Sequence, residues 1–114
     1  MDSYKVIGLM SGSSLDGLDI AYCQIDVSEG KYSYKFLETA HVDFPIKWQI
    51  RLKKLVLQNA VTYLKSDAYF GHFLGEKIRE FIDENDLKEK VDFIASHGQT
   101  IFHQPENRFT SQIG

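Results

Sequence analysis

The sequence predicts a mixed α/β domain with the element order βββ-α-α-β. Three observations predict it. In IGLMSGSSLDGLDIA, residues 7–21, two apolar runs flank a small polar turn. After Pro45 the apolar residues recur at helical spacing. Near the end, the compact apolar run 91–95 delivers the chain to a second polar cluster, Ser96-His97-Gly98-Gln99-Thr100.

The first strand is expected over residues 4–10, where Val6, Ile7 and Leu9 make a short run suited to burial. Residues 12–17 form the turn. A second strand follows over 18–27, with Leu18, Ile20, Tyr22, Ile25 and Val27 as its apolar content. Its alternation changes register near Gln24, as a bulge would make it do. Ser28-Glu29-Gly30 is the next turn signal. Over 31–42, Tyr32, Tyr34 and Phe36 alternate with Ser33, Lys35 and Leu37. Three strands joined by turns this short read as a β-meander, since a βαβ unit needs a long crossover.

Pro45 opens a helix, because its missing N–H would have no partner in a first turn. Trp48, Leu52, Leu55, Val56 and Ala60 share one stripe of that helix. A second helix is expected over 67–82, with Phe70, Leu74, Ile78, Phe81 and Ile82 on one face. Gly71 and Gly75 cost helix propensity there, and their spacing would admit another helix at close range. Glu84-Asn85-Asp86 ends the element, and residues 91–95 form a short buried strand. Beyond Pro105 the chain reads as a loop, with no terminal element over 110–114.

Composition sets the outer bounds. A chain of 114 residues is one domain by size and long enough for a real core. Hydrophobic residues at 43 % and charged residues at 25 % exclude wholesale disorder. Sixteen acids against thirteen Lys and Arg give a formal charge of -3, which lacks the basic footprint of a nucleic-acid binder. Cys23 stands alone, so no intrachain disulfide forms, and a reducing compartment is expected. The N-terminus shows no basic region followed by a long apolar stretch, and no window approaches a membrane span. The expectation is a cytoplasmic protein with no membrane and no nucleic-acid partner.

The polar clusters carry whatever chemistry the chain has. Gly12 and Gly17 let the backbone bend tightly, so that successive N–H groups can converge on one anion. Ser11, Ser13 and Ser14 add hydroxyl donors, while Asp16 and Asp19 suit a metal-bound water or an oriented hydroxyl. The bland alternative is a hairpin turn whose Ser and Asp side chains cap their own backbone. This is not a Walker A loop, which would end in Gly-Lys-Ser/Thr and open a helix. In the second cluster, His97, Gln99, Thr100 and His103 offer compact donors and acceptors for a sugar hydroxyl or an amide. Two histidines without a nearby carboxylate pattern do not make a zinc site, and a satisfied structural histidine is the competing reading. His41 and His72 receive no role, Trp48 is a packing anchor, and Asp83, Glu84 and Asp86 form a solvated helix end.

Taken together, two stretches resemble a known family. VIGLMSGSSLDGLDIAYCQID is similar to the opening of the anhydro-N-acetylmuramic acid kinases, and VDFIASHGQTIFHQP, followed by RFTSQIG, to their second signature. The resemblance covers essentially the whole chain. It implies an actin-like ATPase (ribonuclease H-like) fold, shared with sugar kinases, in which two lobes close over ATP and Mg²⁺. Residues 1–114 would then be the N-terminal part of the first lobe, with the rest of that lobe and the second lobe outside this chain. The implied activity opens the ring of 1,6-anhydro-N-acetylmuramic acid and phosphorylates it to N-acetylmuramate 6-phosphate in cell-wall recycling.

Carried over residue by residue, the family's ATP-binding turn maps to Gly12, Ser13, Ser14, Leu15, Asp16, Gly17, Leu18 and Asp19. Most members have threonine where this chain has Ser13, which preserves the hydroxyl. His97, Gly98, Gln99 and Thr100 match the signature bordering the sugar cleft. Members are much longer, and their general-base aspartate comes from a later segment. No catalytic residue and no metal ligand is therefore assigned in this chain, and Asp16 is not made the base. The alternative reading is a non-catalytic nucleotide- or sugar-binding fragment of the same fold, and a structural or interaction domain stands behind it. An incomplete sheet would leave an unpaired edge, so self-association or a homodimer is also expected.

Overall fold

A computed structural model describes residues 2–12 and 14–114. Strand β1, Asp2–Ser11, and strand β2, Gly17–Ser28, form an antiparallel hairpin in register from Asp2↔Val27 to Ser11↔Leu18. Strand β3, Lys31–Asp43, pairs antiparallel with β2, and β4, Phe93–Ser96, pairs parallel with β1. The sheet order is β3-β2-β1-β4. Successive side chains in a strand face opposite ways. Ile7 and Leu9 therefore share one face with Leu18, Ile20 and Tyr22, and all five are buried.

That face is covered by α1, Ile46–Lys54, and α2, Ala60–Glu84. Trp48 and Leu52 of α1, with Leu55 just beyond it, enter the core beside Phe70, Leu74 and Phe81 of α2. Phe44 and Trp48 meet Phe70 edge to face, with ring centroids 5.6 and 5.2 Å apart. Such pairs add to the area they bury because the ring edge is positive and the face negative.

The expected first helix is shorter than its stripe. After Lys54 the chain tightens into a 3₁₀ turn, Leu55–Leu57, and Ala60 belongs to α2. The cause is Asn59, whose side-chain oxygen accepts the Thr62 N–H at 2.9 Å and caps a new helix. Helix α2 consequently starts at Ala60, well ahead of Asp67. Gly71 and Gly75 do not admit another helix among the described residues. A Cβ at Gly75 would meet nothing within 4 Å, and one at Gly71 would meet only the Gly114 backbone at 3.8 Å.

Two further expectations are corrected in the sheet, and the irregularity expected near Gln24 is present. The expected buried strand is not buried: among the described residues β4 takes an edge position beside β1, leaving Phe93 and Ile94 about half exposed. The expected register change falls between Tyr22 and Cys23, where β3 inserts Leu37 between Glu38 and Phe36. The C-terminal loop is a second small sheet. Strand β5, Gln99–Gln104, pairs antiparallel with β6, Phe109–Ile113, around the turn Pro105–Asn107 and a left-handed Arg108 at φ 64°. Packing against α2 holds it: Tyr63 stacks on Phe102, Ile113 is buried, and the Gly114 N–H donates to Asp67 Oδ1 at 2.7 Å. No helix among the described residues is long and apolar enough to cross a membrane.

Phe70, fully buried among Phe44, Trp48 and Phe73, sets the stability test. Phe70→Ala is expected to cost about 3–5 kcal/mol, because the surrounding aromatic cluster cannot close the cavity. Tyr32→Ala, at a side chain 78 % exposed, should stay within about 0.5 kcal/mol. Urea unfolding followed by Trp48 fluorescence separates the two.

Candidate functional site

The turn between β1 and β2 is built by short-range bonds. Leu15 N–H donates to the Gly12 carbonyl at 3.3 Å, and Leu15 accepts a left-handed φ of 60° to make the bend. Ser14 Oγ donates to Asp16 Oδ1 at 2.7 Å. That hydrogen bond holds the exposed Asp16 carboxyl below its usual range. The Phe44 N–H donates to the Asp16 carbonyl at 2.8 Å, tying the turn to the segment that enters α1. Gly17 opens β2 where no side chain fits, since a Cβ would lie 2.6 Å from His41 Nε2 and 2.7 Å from the Val42 carbonyl. Ser13 lies outside the described residues.

His41 is a residue that the sequence left without a role. Its Nδ1 sits 2.7 Å from Asp19 Oδ1 and its Nε2 sits 3.1 Å from Asp43 Oδ1. The hydrogen bond and charge of Asp19, with those of Asp43, outweigh desolvation and raise the imidazole above its ordinary 6.5. Asp19 and His41 are cross-strand partners, so only the β2–β3 register reveals the contact.

The second cluster lies against the first. Because β4 runs parallel to β1, the chain leaves both strands at the same end, and the His97 N–H donates to the Leu9 carbonyl at 3.2 Å. Gly98 then turns with φ 77°, and a Cβ there would lie 2.7 Å from the Ile113 carbonyl. Gln99 follows with no exposed surface. Its Oε1 accepts from the Ser11 hydroxyl, and its Nε2 donates to the Gly12 carbonyl at 3.1 Å.

The sequence-selected residues thus divide by exposure. Ser14, Asp16, Asp19 and His97 are open to solvent, whereas Leu15 and Thr100 are half-buried. Leu18 is core, so its contribution to a ligand is confined to backbone. Gln99 faces the turn. On the helix-free side of the sheet, Asp19, His41 and His97 help line an open depression of about 900 Å³, floored by Gly8, Ala21 and Ala95. No group of three His, Cys, Asp or Glu among the described residues is arranged to hold a metal ion.

Comparison with known proteins gives the family. The family model described as anhydro-N-acetylmuramic acid kinase matches residues 4–114. The chain belongs to the anhydro-N-acetylmuramic acid kinase family. A family member from Sulfurimonas denitrificans is 37 % identical over 95 % of this chain and 30 % of its own length. One from Pseudoalteromonas translucida is 33 % identical over 98 % of this chain and 31 % of its own length. One from Francisella tularensis subsp. novicida is 35 % identical over 94 % and 29 %, respectively. The chain therefore spans under a third of the length of the curated relatives it matches.

Charge at His41 gives a pH test. Its folded pKa lies above the unfolded value, so the contacts to Asp19 and Asp43 add stability below pH 6.5 and lose it as pH rises through the folded value. An NMR titration of the His41 ring should give a midpoint above 6.5, and Asp19→Asn should bring it back down. His41→Gln should remove this part of the pH dependence of unfolding.

Proposed function

We propose that this chain forms the opening of the first lobe of a kinase with an actin-like ATPase fold, acting on 1,6-anhydro-N-acetylmuramic acid. The turn spanning Gly12, Ser13, Ser14, Leu15, Asp16, Gly17, Leu18 and Asp19 would receive the phosphates of ATP, and His97, Gly98 and Thr100 would border the sugar. One observation carries this reading. Two signatures far apart in the chain meet at the end of two parallel strands, joined by the buried amide of Gln99. Clefts beyond the carboxyl ends of parallel strands are where α/β sheets bind ligands. The mixed α/β sheet, with three antiparallel strands and a fourth added parallel to the first, is compatible with the start of that fold.

The residues fit a nucleotide in a definite way. Glycines at 12 and 17 keep the backbone free of side chains, and the hydroxyl at 13 supplies a donor, that of Ser14 being spent on Asp16. Asp16 and Asp19 carry the hard oxygen donors that Mg²⁺ favours, and they suit contact through its water shell. When bound with ATP, Mg²⁺ would offset phosphate charge. Asp16 is a poor general base, because its hydrogen bond from Ser14 holds the carboxyl low. The base that activates water at the anomeric carbon is proposed to come from a part of the enzyme other than this turn. Ring opening to N-acetylmuramate 6-phosphate would require that base and closure of a second lobe over both substrates.

In a polypeptide continued to the length of its relatives, Ser13→Ala should weaken use of MgATP about tenfold to a hundredfold, as expected for losing a hydrogen bond to a charged acceptor. Ser13→Thr should be mild, since the oxygen is retained. Steady-state kinetics in ATP and in sugar, with unfolding measured on the same proteins, decide the matter. An alanine variant with unchanged ATP dependence and reduced stability would make Ser13 an ordinary turn residue.

A further inference from the structure

We infer that Gln99 is a positioning residue for the β1–β2 turn and not a sugar ligand, an inference whose functional consequence rests on the nucleotide reading of that turn. Its side chain is fully buried, so no surface is left for a ligand. Both ends of the amide are used on the first cluster: Oε1 accepts from Ser11, and Nε2 donates to Gly12 O at 3.1 Å. A buried polar group is retained at this cost only when its partners are in place.

The demand on the side chain is narrow. One planar group must accept from a hydroxyl and donate to a carbonyl, which an amide does and a carboxylate or thioether does not. The backbone around Gln99 is fixed from the other side. His97 N–H is held by the Leu9 carbonyl, and Gly98 passes the Ile113 carbonyl too closely for any side chain. The amide therefore projects from a rigid corner toward the Gly12 end of the turn. Among the described residues, Leu15 N–H also reaches Gly12 O at 3.3 Å at that end, and Phe44 N–H reaches Asp16 O at 2.8 Å at the other. Gln99 is the link by which the second signature sets the shape of the first.

The experiment is NMR on the 114-residue chain, with Gln99→Glu and Gln99→Met beside the wild type. Glutamate keeps the acceptor for Ser11 and loses the donor to Gly12, while methionine loses both. The expected result is displacement of the amide resonances of residues 12–16 and faster hydrogen exchange there, with the β2–β3 resonances unmoved. MgATP and 1,6-anhydro-N-acetylmuramic acid are then titrated separately. For Gln99→Glu the apparent nucleotide Kd should rise about threefold to tenfold, as losing one hydrogen bond implies, and further for Gln99→Met, with sugar response unchanged. Turn resonances that stay put, or a loss confined to the sugar, would overturn the proposal. Displaced turn resonances with no nucleotide response in the wild type would support the positioning role and count against the nucleotide reading. Should both variants fail to fold, the wild type decides: protected Gln99 side-chain amide protons support the link, and rapid exchange refutes it.

Discussion

The parallel pairing of β4 with β1 is the constraint on which the rest of the structure depends. It is short, running from Val6↔Phe93 to Leu9↔Ser96. Backbone bonds extend it at both ends, from Asp92 N–H to Lys5 O at 2.7 Å and from His97 N–H to Leu9 O at 3.2 Å. A parallel neighbour requires a long crossover, and here the crossover contains β2, β3, α1 and α2. The same pairing sends the chain out of β1 and β4 at one end. That is why two polar segments remote in sequence share one corner.

What stabilises the crossover is packing on one side of the sheet. Phe44, Trp48 and Phe70 fill the space between α1, α2 and the buried face, and Tyr22 ties the return segment by donating to the Lys90 carbonyl at 2.6 Å. Asp92 adds a side-chain acceptor for the Lys5 N–H at 2.7 Å, which anchors the approach to β4. Among the described residues no helix lies over the opposite side, and Met10, Phe36 and Phe93 stay half or more exposed there. Core burial therefore fixes the frame from one face, while both polar clusters hang from the strand ends.

Much of this was legible in the sequence, for identifiable reasons. The alternation of Ile7 and Leu9 against Leu18 and Ile20 is strong because one face is buried, and so the hairpin was readable. The stripe of Phe70, Leu74 and Phe81 was readable on the same grounds. Helix boundaries were less so, because the cap at Asn59 interrupts an apolar rhythm that otherwise continues to Ala60. Strands β5 and β6 escaped since their polar alternation depends on packing against Tyr63 and Asp67, contacts with no local signature. In the candidate site, residue types were legible and orientations were not. Gln99 looked like a ligand donor by composition, and only the β1–β4 pairing turns it inward.

The turn also poses an electrostatic question, since two acids stand where an anion is proposed to bind. Each acid is already engaged: Asp16 accepts from Ser14, and Asp19 faces His41, whose raised pKa favours the charged imidazolium. Like charges a few ångströms apart repel by roughly 1 kcal/mol in water and more where solvent is excluded, so bare carboxylates beside phosphate would be unfavourable. Partial neutralisation by a hydroxyl and an imidazole lowers that penalty, and a bound cation would lower it further. On the proposed reading, attraction would come from backbone N–H groups and the Ser13 hydroxyl, which need a fixed bend to act together. The bend is held by the Phe44 N–H on the Asp16 carbonyl and by the Gln99 amide on the Gly12 carbonyl. On this account His41 and Gln99 serve one purpose from opposite sides: the first tempers the charge of the turn, and the second sets its shape.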